Sequence, residues 1–276
     1  MTIETYVEGI GLCGPGLPGW NSSRAILAGL RPYVAMPVVV PPSTLLPANE
    51  RRRMVTTVKL TMAVGSEAFF HAGRDVAATP TVFTSSSGDG DTIHEILASL
   101  ATPEREVSPT RFHNSVHNAP AGYWSIATRS HEPTTALCGY DASFAAGLLE
   151  AAAQTKIENR PIAIIAYDLP YPEPLGTARP IVAQFGAALV LSPEPTDHSL
   201  ARLNVALMRA EGDPTPMPDP ALEKLRRGNP AARSLPLLAA LARHAPASVA
   251  VEYRGGRHLA VDMTPIGSQS RAARSA

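Results

Sequence analysis

Short apolar runs alternate along the chain with amphipathic or wholly apolar helical stretches, and segments rich in proline and glycine join them. Positions 5–12 predict a first strand, and Gly14, Pro15, Gly16 and Pro18 behind it break any regular element and predict a loop. Positions 48–72 predict one long helix, because Met54, Val58, Met62 and Gly65 share a face at helical spacing behind the basic start at Arg51, Arg52 and Arg53. Positions 81–84 are β-branched and aromatic, which suits a strand, and the small polar positions 85–90 suit a loop. A helix is predicted over 91–100 with Asp91 as its cap.

The centre of the chain is the most informative. Across 142–154, Phe144, Ala145, Ala146, Leu148, Leu149, Ala151, Ala152 and Ala153 make a helix apolar on nearly every side, the pattern of one sandwiched inside a protein. Pro161 then introduces a continuous apolar run over 162–167, closed by Asp168 and Pro170, as in a strand buried on both faces. Positions 186–191 repeat that character. A helix between buried strands implies parallel pairing and a layered α/β architecture. Beyond Pro193 the composition shifts to proline, arginine and alanine, with a helix predicted over 235–244. A hairpin of 249–253 with 258–263, turning at Gly255 and Gly256, closes the fold.

Composition narrows the choices. A chain of 276 residues, 45% hydrophobic, can bury a sizeable core and suits one large domain with a short appendage. Basic and acidic residues balance at 24 each, so no net field gathers a polyanion, and nucleic acid is not an expected partner. Glu4 and Glu8 stand where a secretory signal carries basic charge, and no apolar run approaches the roughly 20 residues of a membrane span. The expectation is a cytoplasmic protein with no membrane span. Cys13 and Cys138 are too few for a disulfide framework and lack paired zinc-ligand spacing, so each is expected to be a small buried apolar residue.

Several local patterns suggest chemistry. Gly9, Gly11 and Gly14 match G-x-G-x-x-G, but Pro15, Gly16, Pro18 and Gly19 follow where a pyrophosphate-binding helix should open, which argues against a dinucleotide site. His113 and His117 stand four apart with His131 downstream, a set that would hold zinc if one helix carried the pair. No Glu lies between them to act as a base, and the neighbouring Asn114 and Asn118 suit a hydrogen-bonded turn. Asp89, Asp91 and His94 are explained by a loop leading into a capped helix more simply than by a cation. Arg51, Arg52 and Arg53 suit an exposed basic turn better than contact with a phosphate.

Between Arg111 and Ala153 the residues resemble a known family. Phe112-His113-Asn114-Ser115-Val116-His117-Asn118-Ala119-Pro120-Ala121-Gly122, with Ser125 and Ile126 following, is similar to the helix before the active-site strand of β-ketoacyl synthases, above all the truncated synthase-like subunits. Glu132-Pro133-Thr134 resembles the Gly-Pro-Ser/Thr that leads into that strand, and Asp168 and 185–191 resemble the last strands of the family's amino-terminal half. The resemblance implies a thiolase-like, condensing-enzyme amino-terminal half, an α/β class fold layered α/β/α around a mostly parallel mixed sheet. It covers the chain to about residue 210 and stops before the half that supplies two histidines and a lysine in the family. The expected organisation is 1–210 as the synthase-like domain, 211–265 as a Pro-rich extension completing it with a helix and hairpin, and 266–276 as a flexible tail.

Counting with the family's spacing from Pro133 or back from Glu150-Ala151 puts the nucleophile at position 141, which holds Asp141. A cysteine there gains thiolate character from the helix N-terminus and stores the acyl chain as a thioester. An aspartate suits the same place as a helix cap but is a poor nucleophile toward thioesters. The resemblance therefore implies a non-catalytic partner, a chain-length factor of the aryl-polyene pigment type. It would pair as a heterodimer with a full-length ketosynthase in polyketide or fatty-acid-type elongation and meet acyl carrier protein through that partner. No catalytic residue, cofactor or metal is expected in the chain itself. By the same resemblance Phe112, His113, His117, Tyr123, Trp124, Tyr140 and Phe144 would line the partner interface or the acyl tunnel, unless the aromatics are ordinary core residues. Two alternatives stay open: a stand-alone acyltransferase or thioester hydrolase using Cys138 or Ser143, and a metalloprotein using His113 and His117.

Overall fold

Two stretches, Ile162–Asp168 and Phe185–Ser192, are buried at every residue, and apolar side chains on both faces of a strand require a layer of helix on each side of the sheet. The computed structural model describes residues 2–43, 45–46 and 48–267 and has that arrangement. In chain order the elements are β1 (Thr2–Cys13), α1 (Trp20–Leu27), α2 (Ala48–Arg53), α3 (Thr56–Ala72), β2 (Thr81–Thr84), α4 (Gly90–Leu100), α5 (Pro109–Asn114), α6 (Ala119–Thr128) and β3 (Thr134–Leu137). A 3-10 turn at Tyr140–Ala142 leads into α7 (Ser143–Glu158), β4 (Ile162–Asp168), α8 (Leu175–Ala178), β5 (Phe185–Ser192), β6 (Ala201–Arg209) and α9 (Pro220–Gly228). A second 3-10 turn at Ala231–Ser234, α10 (Leu235–Arg243), β7 (Ala247–Glu252) and β8 (Arg257–Pro265) complete the fold.

Among the described residues eight strands form one sheet in the order β3-β2-β4-β5-β1-β6-β8-β7. The expectation of a mostly parallel sheet is corrected: only β2 with β3 and β2 with β4 pair in parallel, and the five other pairs are antiparallel. Parallel pairing holds where it was argued, around α7, because a helical crossover between β3 and β4 returns the chain in the same direction. The remaining strands pair antiparallel: β5 lies between β4 and β1, β6 between β1 and β8, and β7 and β8 form a hairpin at the far edge.

One face of the sheet is covered by α1, α7, α10 and the second 3-10 turn, with Phe144, Leu148, Leu189, Leu237 and Leu238 in one cluster. The other carries α3 and α6, with Val64, Ala68, Trp124, Ile165 and Val190 in a second. The glycines of β1 explain how close α3 sits. A Cβ on Gly9 would lie 2.0 Å from the Ala68 carbonyl oxygen, and one on Gly11 1.8 Å from that of Val64. These glycines serve helix–strand packing, not a nucleotide.

Several sequence expectations change in detail. The helix over 48–72 is two, broken at Met54 and Val55. Asp89 caps α4, accepting from Thr92 N–H at 2.8 Å, and Asp91 lies in its first turn. Cys13 is buried as expected, whereas Cys138 is exposed. Of the tail expected over 266–276, positions 268–276 lie outside the described residues.

Candidate functional site

The turn from β3 into α7 is tight, and its cost falls on Tyr140, whose φ of 57° puts a bulky side chain in the left-handed region. Neighbouring bonds hold it there. Ala142 N–H donates to Gly139 O at 3.1 Å, Gly139 N–H donates to Ser143 Oγ at 3.0 Å, and Ser143 O–H donates to Tyr140 O at 2.6 Å. Ser143, 1% exposed, thus spends its hydroxyl on the turn and presents no free nucleophile. The guanidinium of Arg179 stacks 3.5 Å above the Tyr140 ring, which stays 55% exposed on its other side.

Asp141 does not cap the helix. Its side chain makes no cap hydrogen bond, and the capping role expected of it is corrected on that ground. The carboxylate instead accepts from Arg179 at 2.9 Å through Oδ1 and faces Arg233 at 3.5 Å through Oδ2. Arg233 also pairs with Glu252 on β7. Asp141 is therefore one link in a chain of alternating charges that joins the β3–α7 turn, the segment before β5, the second 3-10 turn and β7. Both carboxylate oxygens thus face a guanidinium rather than open space.

Cys138 lies at the carboxyl end of β3, and its thiol donates to the Ser86 carbonyl at 3.1 Å. At the end of β4, which lies beyond β2 in the sheet, stands Asp168, fully buried. Its Oδ1 accepts from Ser85 Oγ at 3.1 Å, Ser86 N–H at 2.8 Å and Ser86 Oγ at 2.6 Å, while Oδ2 has no partner. Burial outweighs the Ser86 and Ser85 bonds and pushes this carboxyl up to about 6. The group pins the loop after β2 onto β4.

The other predicted site residues separate. α5 stops at Asn114, so His113 and His117 do not share a helix and the paired-ligand spacing is corrected. His113 meets the Tyr123 ring edge-on at 6.0 Å, and His117 Nε2 lies 3.2 Å from Ser85 O. Among the described residues no group of three or more His, Cys, Asp or Glu side chains is placed to hold a metal. Trp124 and Phe144 are 1% and 2% exposed and Tyr123 is buried, all within this chain's own core, whereas Phe112 is 68% exposed. Arg179, Arg233 and Glu252 were missed in the sequence. Nothing local marks them, since the contacts join segments far apart in the chain.

Comparison with known proteins now has a geometry to meet. The model of the β-ketoacyl synthase amino-terminal domain matches residues 30–219. The chain belongs to this family. A ketosynthase in complex with its chain length factor from Xenorhabdus doucetiae has a chain 18% identical, with a TM-score of 0.71 over 94% of this chain and 98% of that one. The ishigamide ketosynthase/chain length factor gives 16% identity and a TM-score of 0.70 over 96% and 100%. A β-ketoacyl synthase from Burkholderia phymatum STM815 gives 12% and 0.67 over 97% and 100%. Among curated proteins none matches the chain. These likenesses establish the thiolase-like fold, and this synthase-family member carries an ion-paired aspartate at the β3–α7 turn. Among the described residues no helix is long and apolar enough to cross a membrane.

Proposed function

We propose that this synthase-family chain is a non-catalytic partner subunit, a chain-length factor that pairs with an active ketosynthase in aryl-polyene or related polyketide-type chain elongation. The observation that carries the reading is Asp141 at the expected nucleophile position, engaged by Arg179 and Arg233 rather than free to attack. Ser143 is buried and used by the turn, which weakens the acyltransferase alternative at that residue. The full-length fold matches to chains of ketosynthase/chain length factor complexes support the same reading.

The surface offers a place for such a partner. β3 is an edge strand with a half-exposed face, and α6 packs beside it. Ile126 of α6 is an exposed apolar residue, and Phe112 of α5 and Val116 of the α5–α6 connection are exposed apolar residues as well. In this reading 1–210 is the synthase-like body, and 211–265 extends it through β8 and β7, which pair outward from β6. The acyl carrier protein meets the complex through the ketosynthase. A cytoplasmic location belongs to the proposal, and the free thiols of Cys13 and Cys138 support it.

Co-expression with a full-length ketosynthase and a carrier protein tests the proposal. The chain should co-purify with the synthase in equal amounts, and intact-mass measurement after incubation with an acyl-carrier thioester should find the acyl group on the synthase alone. An adduct on the isolated chain that disappears in Cys138→Ala would replace this reading with an acyl-transfer enzyme.

A further inference from the structure

Opposite ends of the sheet order meet at one place in this molecule. Among the described residues β3 is the first strand of the sheet and β7 the eighth. Seven spacings of roughly 4.8 Å would hold them about 34 Å apart in a flat sheet, so it takes the twist that accumulates from strand to strand to bring them together. They meet beyond their carboxyl ends. A cleft of about 410 Å³ has the β3–α7 turn, 139–142, on one wall and the end of β7 with the hairpin tip, 252–256, on the other.

One side chain pairs with both walls. Arg233, on the second 3-10 turn, faces Asp141 Oδ2 at 3.5 Å and also pairs with Glu252. The 3-10 turn that carries it packs against both α7 and β7, so its base is fixed to the two sides it joins. Its side chain is 11% exposed, against 39% for Asp141 and 45% for Glu252. A mostly buried cation is screened less than an exposed one, so it couples to both carboxylates. Glu252 has no second ion pair among the described residues, whereas Asp141 also has Arg179. The tip beyond Glu252 is exposed over 254–257 and turns on Gly255 and Gly256, at φ of 67° and 64°. Exposed segments of this kind open locally at low cost, and an ion pair at their root changes how often they do.

We propose that Arg233 is a pin that joins the β3–α7 turn and the β7–β8 hairpin into one opening unit, so that a change at either edge of the sheet is felt at the other. The device lies wholly within this chain and does not rest on the partner reading.

Hydrogen exchange of the full chain at low ionic strength tests it at two amides: Ala142 N–H, which donates to Gly139 O, and Tyr253 N–H, which donates to Arg257 O. Glu252→Gln should speed exchange at Ala142, and Asp141→Asn at Tyr253, each by about threefold, the size of one partly exposed ion pair. Arg233→Met should speed both and remove the cross-effect, so that adding Glu252→Gln to it leaves Ala142 as it was in Arg233→Met alone. Thr215 N–H, bonded to Ala250 O on β7, should keep its rate throughout. If Arg233→Met does not fold, the two carboxylate variants decide the matter by themselves. The proposal is overturned if either of them leaves the far amide unchanged, if folded Arg233→Met leaves both amides unchanged, or if Thr215 speeds up equally, the mark of general loosening.

Discussion

The two edges of the sheet are treated differently. At one, β7 is tied to its own chain: Ala250 N–H donates to Thr215 Oγ1 at 2.8 Å, and Thr215 N–H donates to Ala250 O at 2.9 Å. At the other, β3 is four residues long, half-exposed, and has no strand on its outer side among the described residues. An unpaired edge is a template for another chain, and proteins ordinarily blunt it with a loop, charge or proline. The β7 edge is blunted in that way and the β3 edge is not. On the proposed reading β3 and its neighbours are left for a partner, whereas the β7 side is closed by its own chain.

The largest effect that sharpens this contrast concerns Asp168, buried at the carboxyl end of β4, two strands in from the open edge. Folding raises its carboxyl to about 6 from an ordinary value near 4, so the folded state holds the proton more tightly than the unfolded chain. Its contribution to stability is full below about pH 4 and is lost as pH rises through about 6, a difference on the order of 3 kcal/mol. Urea midpoints measured between pH 4.5 and 7.5 should show Asp168→Asn losing this part of the slope. An unchanged slope would mean that the buried carboxyl is not strained by its surroundings.

Next comes the open edge itself. Phe112→Asp with Thr134→Lys places charge on two exposed positions, and it should weaken association with a ketosynthase by about 30-fold or more, roughly 2 kcal/mol. The thermal midpoint of the isolated chain should hardly move. If it fell instead, these residues would belong to the chain's own packing and the contrast between the edges would break.

At the closed edge Thr215→Val removes the acceptor for Ala250 N–H, and a loss of about 1 kcal/mol is expected in chemical denaturation, with ketosynthase binding unaffected. The smallest effect belongs to Asp141→Asn. Its carboxylate is 39% exposed, so solvent screening limits the cost to under about 1 kcal/mol, despite two arginine partners. On the proposed reading turnover of the complex should be preserved in the same variant, because there the residue serves as an ion-pair link.

Which parts of this were legible in the sequence follows from how local the governing physics is. The strands at 162–168 and 185–192 and the helix at 143–158 declared themselves because burial on both sides forces apolar residues at every position. Other elements were passed over. α9 carries a readable start, Asp219 followed by Pro220, with Asp219 accepting from Ala221 and Leu222 N–H. β6 alternates buried with half-buried residues and was hidden within a proline- and arginine-rich stretch.

The sequence by itself determined the class of the fold and its family, because both are written in contiguous residues, and the proposal that Asp141 stands at the family's nucleophile position rests on the same stretch. Only the tertiary structure decided that Asp141 is an ion-pair link rather than a helix cap, that the sheet is mainly antiparallel, and that Cys138 is exposed while Ser143 is not. Those outcomes depend on Arg179, Arg233, Thr215 and the loop at Ser85 and Ser86 arriving from distant segments. Charge pairing and edge protection are satisfied across space, and a local pattern cannot say which distant residue will satisfy them.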